Sequence, residues 1–177
     1  MLKKHILVIS IIFLLTFPSL AAEPMIGTEA PTFFAHTIEG KPFFLSKEIE
    51  KEQPIVLSFF ATWCIPCRQE LPVVDTLATE FPEIQFYLVN VSGLIQDEKK
   101  MKEEPQKVKK MLESLKVDVP VLMDKYGKAA EKYKALTLPR IVIIDSKGII
   151  VYEHTGYDKG LKDVIVKTLK EITDEND

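Results

Sequence analysis

Residues Ile55 to Ala61 read Ile-Val-Leu-Ser-Phe-Phe-Ala, an apolar run without polar alternation. A strand with one solvated face alternates polar and apolar side chains, so a run of this kind is buried on both faces, in the middle of a sheet covered by helices. Ile84 to Val91 and Arg140 to Asp145 have the same character. Between the first two lies Cys64 to Phe81, with Leu71, Val74, Leu77, Ala78 and Phe81 at helical spacing and Pro72 inside the pattern. This predicts a helix kinked at the proline, which removes one hydrogen bond and crowds the preceding turn. A strand, a helix and another buried strand in succession predict a right-handed parallel crossover.

Pro31 to Ala35 and Lys41 to Leu45 flank a turn-like Glu39-Gly40 and predict an N-terminal hairpin. The mixed-charge stretch Asp97 to Glu104 reads as a solvated loop or surface helix, and Pro105 then opens a helix striped by Val108, Met111, Leu112 and Leu115. Pro120 to Asp124 is a short strand and Gly127 to Lys134 a short helix. Arg140 to Asp145 is joined to Ile149 to Glu153 by three residues, which makes an antiparallel hairpin. A last helix, capped by Asp158, carries Leu161, Val164, Ile165, Leu169 and Ile172 on one face, and Thr173 to Asp177 reads as a frayed acidic tail. The class is α/β, with one domain over residues 23–173 and a disordered tail at 174–177.

Ahead of this domain, Lys3, Lys4 and His5 precede the apolar run Ile6 to Leu15, and Ser19 to Ala22 offer small residues for cleavage. The run ends at Pro18, short of the roughly 20 residues that a bilayer core requires, so residues 1–22 are expected to be a cleaved signal peptide, with an uncleaved anchor as the alternative. Both place the domain outside the cytoplasm, in the periplasm or another extracytoplasmic space. The net charge of −3, from 23 Lys+Arg against 26 Asp+Glu, provides no basic excess for nucleic acid.

The chain has 2 Cys, and they form Cys64-Ile65-Pro66-Cys67 where the first buried strand gives way to the helix. A bridge across two residues closes almost no loop and stabilises little. A zinc site needs four ligands, and beyond the leader only His36 and His154 are available besides the thiols, at no recognised spacing. Two unrelated buried thiols are the remaining bland reading. A redox dithiol fits motif, junction and compartment together. With Cys64 at the helix N-terminus, free backbone N–H groups and the helix dipole favour its thiolate, and Cys67 returns to nearly the same side one turn later. The first sulfur then attacks and the second resolves.

Trp63-Cys64-Ile65-Pro66-Cys67, Pro72 and Leu138-Pro139 resemble the thioredoxin fold, a central mixed sheet flanked by helices, here with the N-terminal hairpin as an extension. Gly27 to Phe33 resembles a signature shared by peroxiredoxins and the TlpA/ResA-type extracytoplasmic thioredoxin-like proteins. Peroxiredoxins lack the Trp-Cys-x-x-Cys arrangement, so the TlpA/ResA group of thiol-disulfide oxidoreductases is the nearer likeness. The resemblance implies a cis Pro139 whose backbone, with Leu138 and Pro66, meets the partner chain by strand-like pairing, and a Trp63 that flanks the sulfurs; the alternative for Trp63 is a plain core aromatic. Cytoplasmic thioredoxins carry a buried Asp six residues before the first cysteine, where this chain has Ser58. Glu70, three residues after Cys67, resembles the acidic residue near the dithiol of ResA-type proteins and is the candidate proton carrier; the alternative is a first-turn Glu that only favours the helix dipole. Arg140 stands where the family usually has a small polar residue. Its guanidinium is expected to stabilise the thiolates, contact an acidic partner, or point into solvent.

The expected function is exchange of disulfides with protein substrates, as a reductant in cytochrome c maturation or on copper-site cysteines. The resemblance implies re-reduction by a membrane thiol carrier. The alternatives are a disulfide oxidase or isomerase, and a non-catalytic metal or haem chaperone using the thiols as ligands. Neither a metal nor a cofactor beyond the redox-active disulfide is expected, and the chain is read as a monomer.

Overall fold

The computed structural model describes residues 25–91 and 105–174. The leader, the charged stretch Asp97 to Glu104 and residues 175–177 fall outside the described residues. In chain order the elements are β1 (Phe34–Thr37), β2 (Pro42–Phe44), α1 (Leu45–Ile49), β3 (Ile55–Phe60), α2 (Cys67–Glu80) and β4 (Gln85–Asn90). Then follow α3 (Pro105–Leu115), β5 (Val121–Met123), α4 (Lys128–Lys132), β6 (Arg140–Ile144), β7 (Ile150–Thr155) and α5 (Leu161–Asp174).

The strands form one seven-stranded mixed sheet in the order β2-β1-β5-β4-β3-β6-β7. β3, β4 and β5 run parallel, joined through α2 and α3, while β6 lies antiparallel to β3 and β7 to β6. Every residue of β3 and β6 is buried, as unalternated apolar runs require. The predicted hairpin is β1–β2, turning at Gly40 with a φ of 86°, and it extends the sheet by pairing with β5. The segment after Met25 lies along the β6–β7 turn: Gly27 N–H donates to the Ile150 carbonyl and Ile150 N–H to that of Thr28.

Helices cover both faces. α2, α3 and α5 share one: Asp75 of α2 accepts the N–H of Asp118 just past α3, and Lys162 of α5 pairs with Glu80 of α2. α1 and α4 cover the other, where the Tyr87 hydroxyl donates to Glu48 and the Tyr133 ring meets Phe59 at 5.4 Å. No helix among the described residues is long and apolar enough to cross a membrane.

Two boundaries and the burial of one residue differ from the sequence reading. α2 starts at Cys67 rather than Cys64, because Ala61 to Pro66 are taken up by turns; it then runs unbroken through Pro72 to Glu80. α5 includes Thr173 and Asp174, which the sequence reading gave to the tail. Val164 is about half exposed: it falls at the rim of the stripe that Leu161, Ile165, Leu169 and Ile172 bury. Asp158 does serve that helix start, its Oδ1 accepting Gly160 N–H at 2.8 Å.

Candidate active site

Buried on both faces, β3 ends at the fully buried Phe60, and the turns that follow carry the cysteines. Cys64 N–H donates to the Ala61 carbonyl, and the Arg68 guanidinium pins the turn through the Thr62 carbonyl at 2.8 Å. Pro66, with φ −65° already helical, leads into α2. Cys64 and Cys67 are disulfide-bonded, with Cα atoms 5.3 Å apart. Cys64 Sγ accepts the Cys67 N–H at 3.2 Å, so the sulfur sits over the first turn of α2 although its residue precedes the helix. Cys67 is fully covered and Cys64 retains 4% of its surface, whereas Trp63 is 46% and Ile65 73% exposed. The dithiol is thus a mostly sunken pair with an apolar, solvent-facing rim. Trp63 is not a core aromatic.

One turn beyond Cys67, Glu70 is 1% exposed. Its Oε1 accepts a hydrogen bond from the Ser58 hydroxyl at 2.9 Å, and its Oε2 is buried without a partner. Burial raises the carboxyl pKa to about 8, partly opposed by the Ser58 hydrogen bond, which favours the carboxylate. A first-turn Glu that merely faces the helix dipole would be solvated; this one is not. A carboxyl titrating there holds its proton at neutral pH and can give it up or take it back with little driving force. Sequence reasoning singled out Ser58 only for the acid it replaces. Its hydrogen bond to Glu70 joins residues on different elements, which no local pattern reveals.

Leu138-Pro139 is cis. Arg140 pairs with Phe59, so Pro139 comes level with Phe60 at the end of β3, beside the cysteine turn. The Pro139 carbonyl accepts Gly156 N–H at 2.8 Å, which ties this loop to the end of β7. Leu138 is partly buried against the core.

Arg140 corrects the expectation. Side chains alternate along a strand, and Arg140 pairs with Phe59, not with Ser58, so its side chain leaves the sheet on the face opposite α2. There Nε donates to the Tyr133 carbonyl, Nη1 to the Thr155 hydroxyl at 2.8 Å, and Nη2 to Glu153 at 2.7 Å. It is buried, on the face away from α2 and its cysteine, with Met25 Sδ 3.8 Å from Nη2, and it braces α4 against β6 and β7. His36 on β1 and His154 on β7 have four strands between them in the sheet, and His154 approaches Asp158 at 3.6 Å.

The AhpC/TSA family model matches residues 26–153. The thiol-disulfide oxidoreductase ResA of Bacillus thuringiensis is 32% identical over 148 residues, covering 84% of this chain and 79% of that protein. The sporulation thiol-disulfide oxidoreductase A of Bacillus subtilis is 29% identical over 179 residues, 99% of this chain and all of that one. Among solved structures, a thiol:disulfide interchange protein of the thioredoxin family from Chlorobium tepidum superposes with a TM-score of 0.62 at 26% identity, covering 80% of this chain and 95% of that chain. A joined Cys-x-x-Cys pair at the end of a central strand, a cis proline level with it and these relatives agree: the chain belongs to the AhpC/TSA family and is a thiol-disulfide oxidoreductase of the thioredoxin-like, ResA-related kind.

Proposed function

We propose that this oxidoreductase works outside the cytoplasm as a reductant of protein disulfides. Cys64, the sulfur with residual exposure, attacks the partner disulfide; a Cys64–partner disulfide forms and the first partner thiolate leaves. The ionised form of Glu70, within reach from a pKa of about 8, then takes the Cys67 proton as Cys67 attacks Cys64 Sγ, which closes the Cys64–Cys67 bond and releases the second partner thiolate. Two electrons pass from the dithiol to the partner. Trp63, Ile65 and Pro66 form the apolar rim that the partner meets. Strand-like pairing runs through Leu138, since Pro139 has no N–H and its carbonyl already accepts Gly156.

The observation that carries the direction is the placement of Arg140. Strongly oxidising dithiol proteins owe their potential to a stabilised reduced form. Here the Arg140 guanidinium is spent on Glu153, Thr155 and the Tyr133 carbonyl and that of Arg68 on the Thr62 carbonyl, while Glu70 of α2 is a carboxyl; the hydrogen bond to Cys64 Sγ comes from a neutral backbone N–H. Such a thiolate gains little, which favours a reductant. Re-reduction falls to a membrane thiol carrier, and the substrates are haem-site cysteines of apocytochromes c or copper-site cysteines.

The test is insulin reduction combined with trapping in extracts of exported proteins. The intact dithiol precipitates insulin with dithiothreitol as donor; Cys67→Ser accumulates mixed disulfides and Cys64→Ser does not. Trapping by Cys64→Ser alone would reverse the roles, and a dithiol that oxidises reduced substrates but leaves insulin intact would overturn the direction.

A further inference from the structure

Ser58 sits in the middle of β3, fully buried, between Leu88 of β4 and Ile141 of β6 in register. An apolar residue would fill this place without a polar group to satisfy, and a buried hydroxyl needs a partner. Its partner is Glu70 Oε1, twelve residues along the chain and on the helix that carries Cys67. The other carboxyl oxygen, Oε2, is buried and unpartnered. The two oxygens of one carboxyl are therefore inequivalent: one is anchored, the other open.

We propose that Ser58 is the positioning residue of the proton exchange, holding Glu70 through Oε1 so that the exchangeable proton resides on Oε2. This rests on the dithiol reading above, in which Glu70 receives the Cys67 proton. An unheld glutamate carboxyl turns about a broad, roughly two-fold terminal torsion, and either oxygen can carry the proton. With the Ser58 hydrogen on Oε1, that oxygen is the acceptor in both protonation states, and Oε2 alone gains and loses the proton. In the resolving step the Cys67 S–H bond breaks, its proton goes to Oε2 of the ionised Glu70 carboxyl, and the sulfur's electron pair forms the Cys64–Cys67 bond as the Cys64–partner bond breaks. The same hydroxyl keeps its hydrogen bond to the carboxylate left after the proton departs, and so offsets part of the burial that opposes ionisation. On this side of the sheet the charges of Glu70 and Asp158 both act on Tyr152 of β7, His154 faces Asp158, Arg68 of α2 is held by the Thr62 carbonyl, Asp75 by the Asp118 N–H, and Glu80 by Lys162 of α5.

The experiment is stopped-flow reduction of the dithiobis(nitrobenzoate) reagent by the reduced full-length protein. The first nitrothiobenzoate released reports attack by Cys64, and the second reports resolution by Cys67, so the second phase is followed against pH. Ser58→Ala should move its inflection upward by about half to one pH unit, the effect of losing one hydrogen bond to the ionised form. Ser58→Thr, which keeps the hydroxyl, should restore it. Glu70→Gln should abolish the inflection, and adding Ser58→Ala to it should change nothing further. If Glu70→Gln leaves the inflection in place, the proton-carrier reading falls and this assignment with it. If Glu70→Gln abolishes it but Ser58→Ala does not move it, only the role of Ser58 is overturned; a shift that persists in the double variant overturns it as well. Should Ser58→Ala not fold, infrared spectroscopy of the wild type decides: a carboxyl C=O band, identified by its loss in Glu70→Gln, supports the proposal at a hydrogen-bonded frequency and overturns it at a free one.

Discussion

Glu70 and Arg140 are both buried ionisable residues beside the same strand, and their surroundings give them opposite duties. Glu70 has one neutral hydrogen bond and an open oxygen, so burial dominates and lifts its pKa from the usual carboxylate value to about 8. The folded state therefore binds this proton more tightly than the unfolded chain does. Its contribution to stability is fully present below the ordinary carboxylate pKa and is lost as pH rises toward about 8. Urea unfolding of the oxidised protein should show this as a decline of a few kcal/mol across that window, absent in Glu70→Gln; parallel curves for the two proteins would show that Glu70 is not perturbed. Arg140 has partners for each of its nitrogens, Glu153 among them at 2.7 Å. Arg140→Met strands that carboxylate and the Tyr133 carbonyl, and should cost about 2–4 kcal/mol in the same assay. The redox potential should stay where it is, and a potential that moved with Arg140 would return it to the sulfurs. The sequence named both residues but not their duties, because the duty of each depends on which face of the sheet it meets. For Arg140 that is decided by its pairing with Phe59 rather than Ser58, a register that the sequence does not print.

The strands and helices themselves were largely legible. Unalternated runs gave β3 and β6, stripes at helical spacing gave α2, α3 and α5, and Glu39-Gly40 gave the turn of the β1–β2 hairpin. What the periodicity placed poorly were ends: the first turn of α2 lies beyond Cys64 because turn residues 61–66 intervene, and α5 continues into residues that look like tail. The hairpin shows alternation working within an element. Phe43 is buried and packs against Phe33 and Tyr87 with ring centroids 6.0 and 4.9 Å away, whereas Phe44, its neighbour in sequence, is 41% exposed. Phe43→Ala should cost about 3–5 kcal/mol and Phe44→Ala under about 1 kcal/mol. Equal losses in urea midpoints would mean that the hairpin does not pack on the core as described.

At the level of the whole molecule, the sheet brings together parts that the chain keeps far apart: the cysteine turn after β3, the cis proline before β6 and Gly156 after β7, which closes on the Pro139 carbonyl. The dithiol motif was visible in the sequence, and the resemblance it carried implied the cis bond; the grip of Ser58 on Glu70 and the diversion of Arg140 needed the folded chain. Those two contacts also bear on the direction of electron flow, since an Arg140 held by Glu153 and a buried carboxyl at Glu70 give the reduced form little stabilisation. Dithiol proteins of this fold range from about −270 mV for thioredoxin to about −120 mV for strong oxidants. The midpoint potential of the Cys64–Cys67 pair, equilibrated against a dithiothreitol or glutathione buffer, tests the account most directly. A value toward the thioredoxin end of that range is predicted, and one above about −150 mV would contradict it.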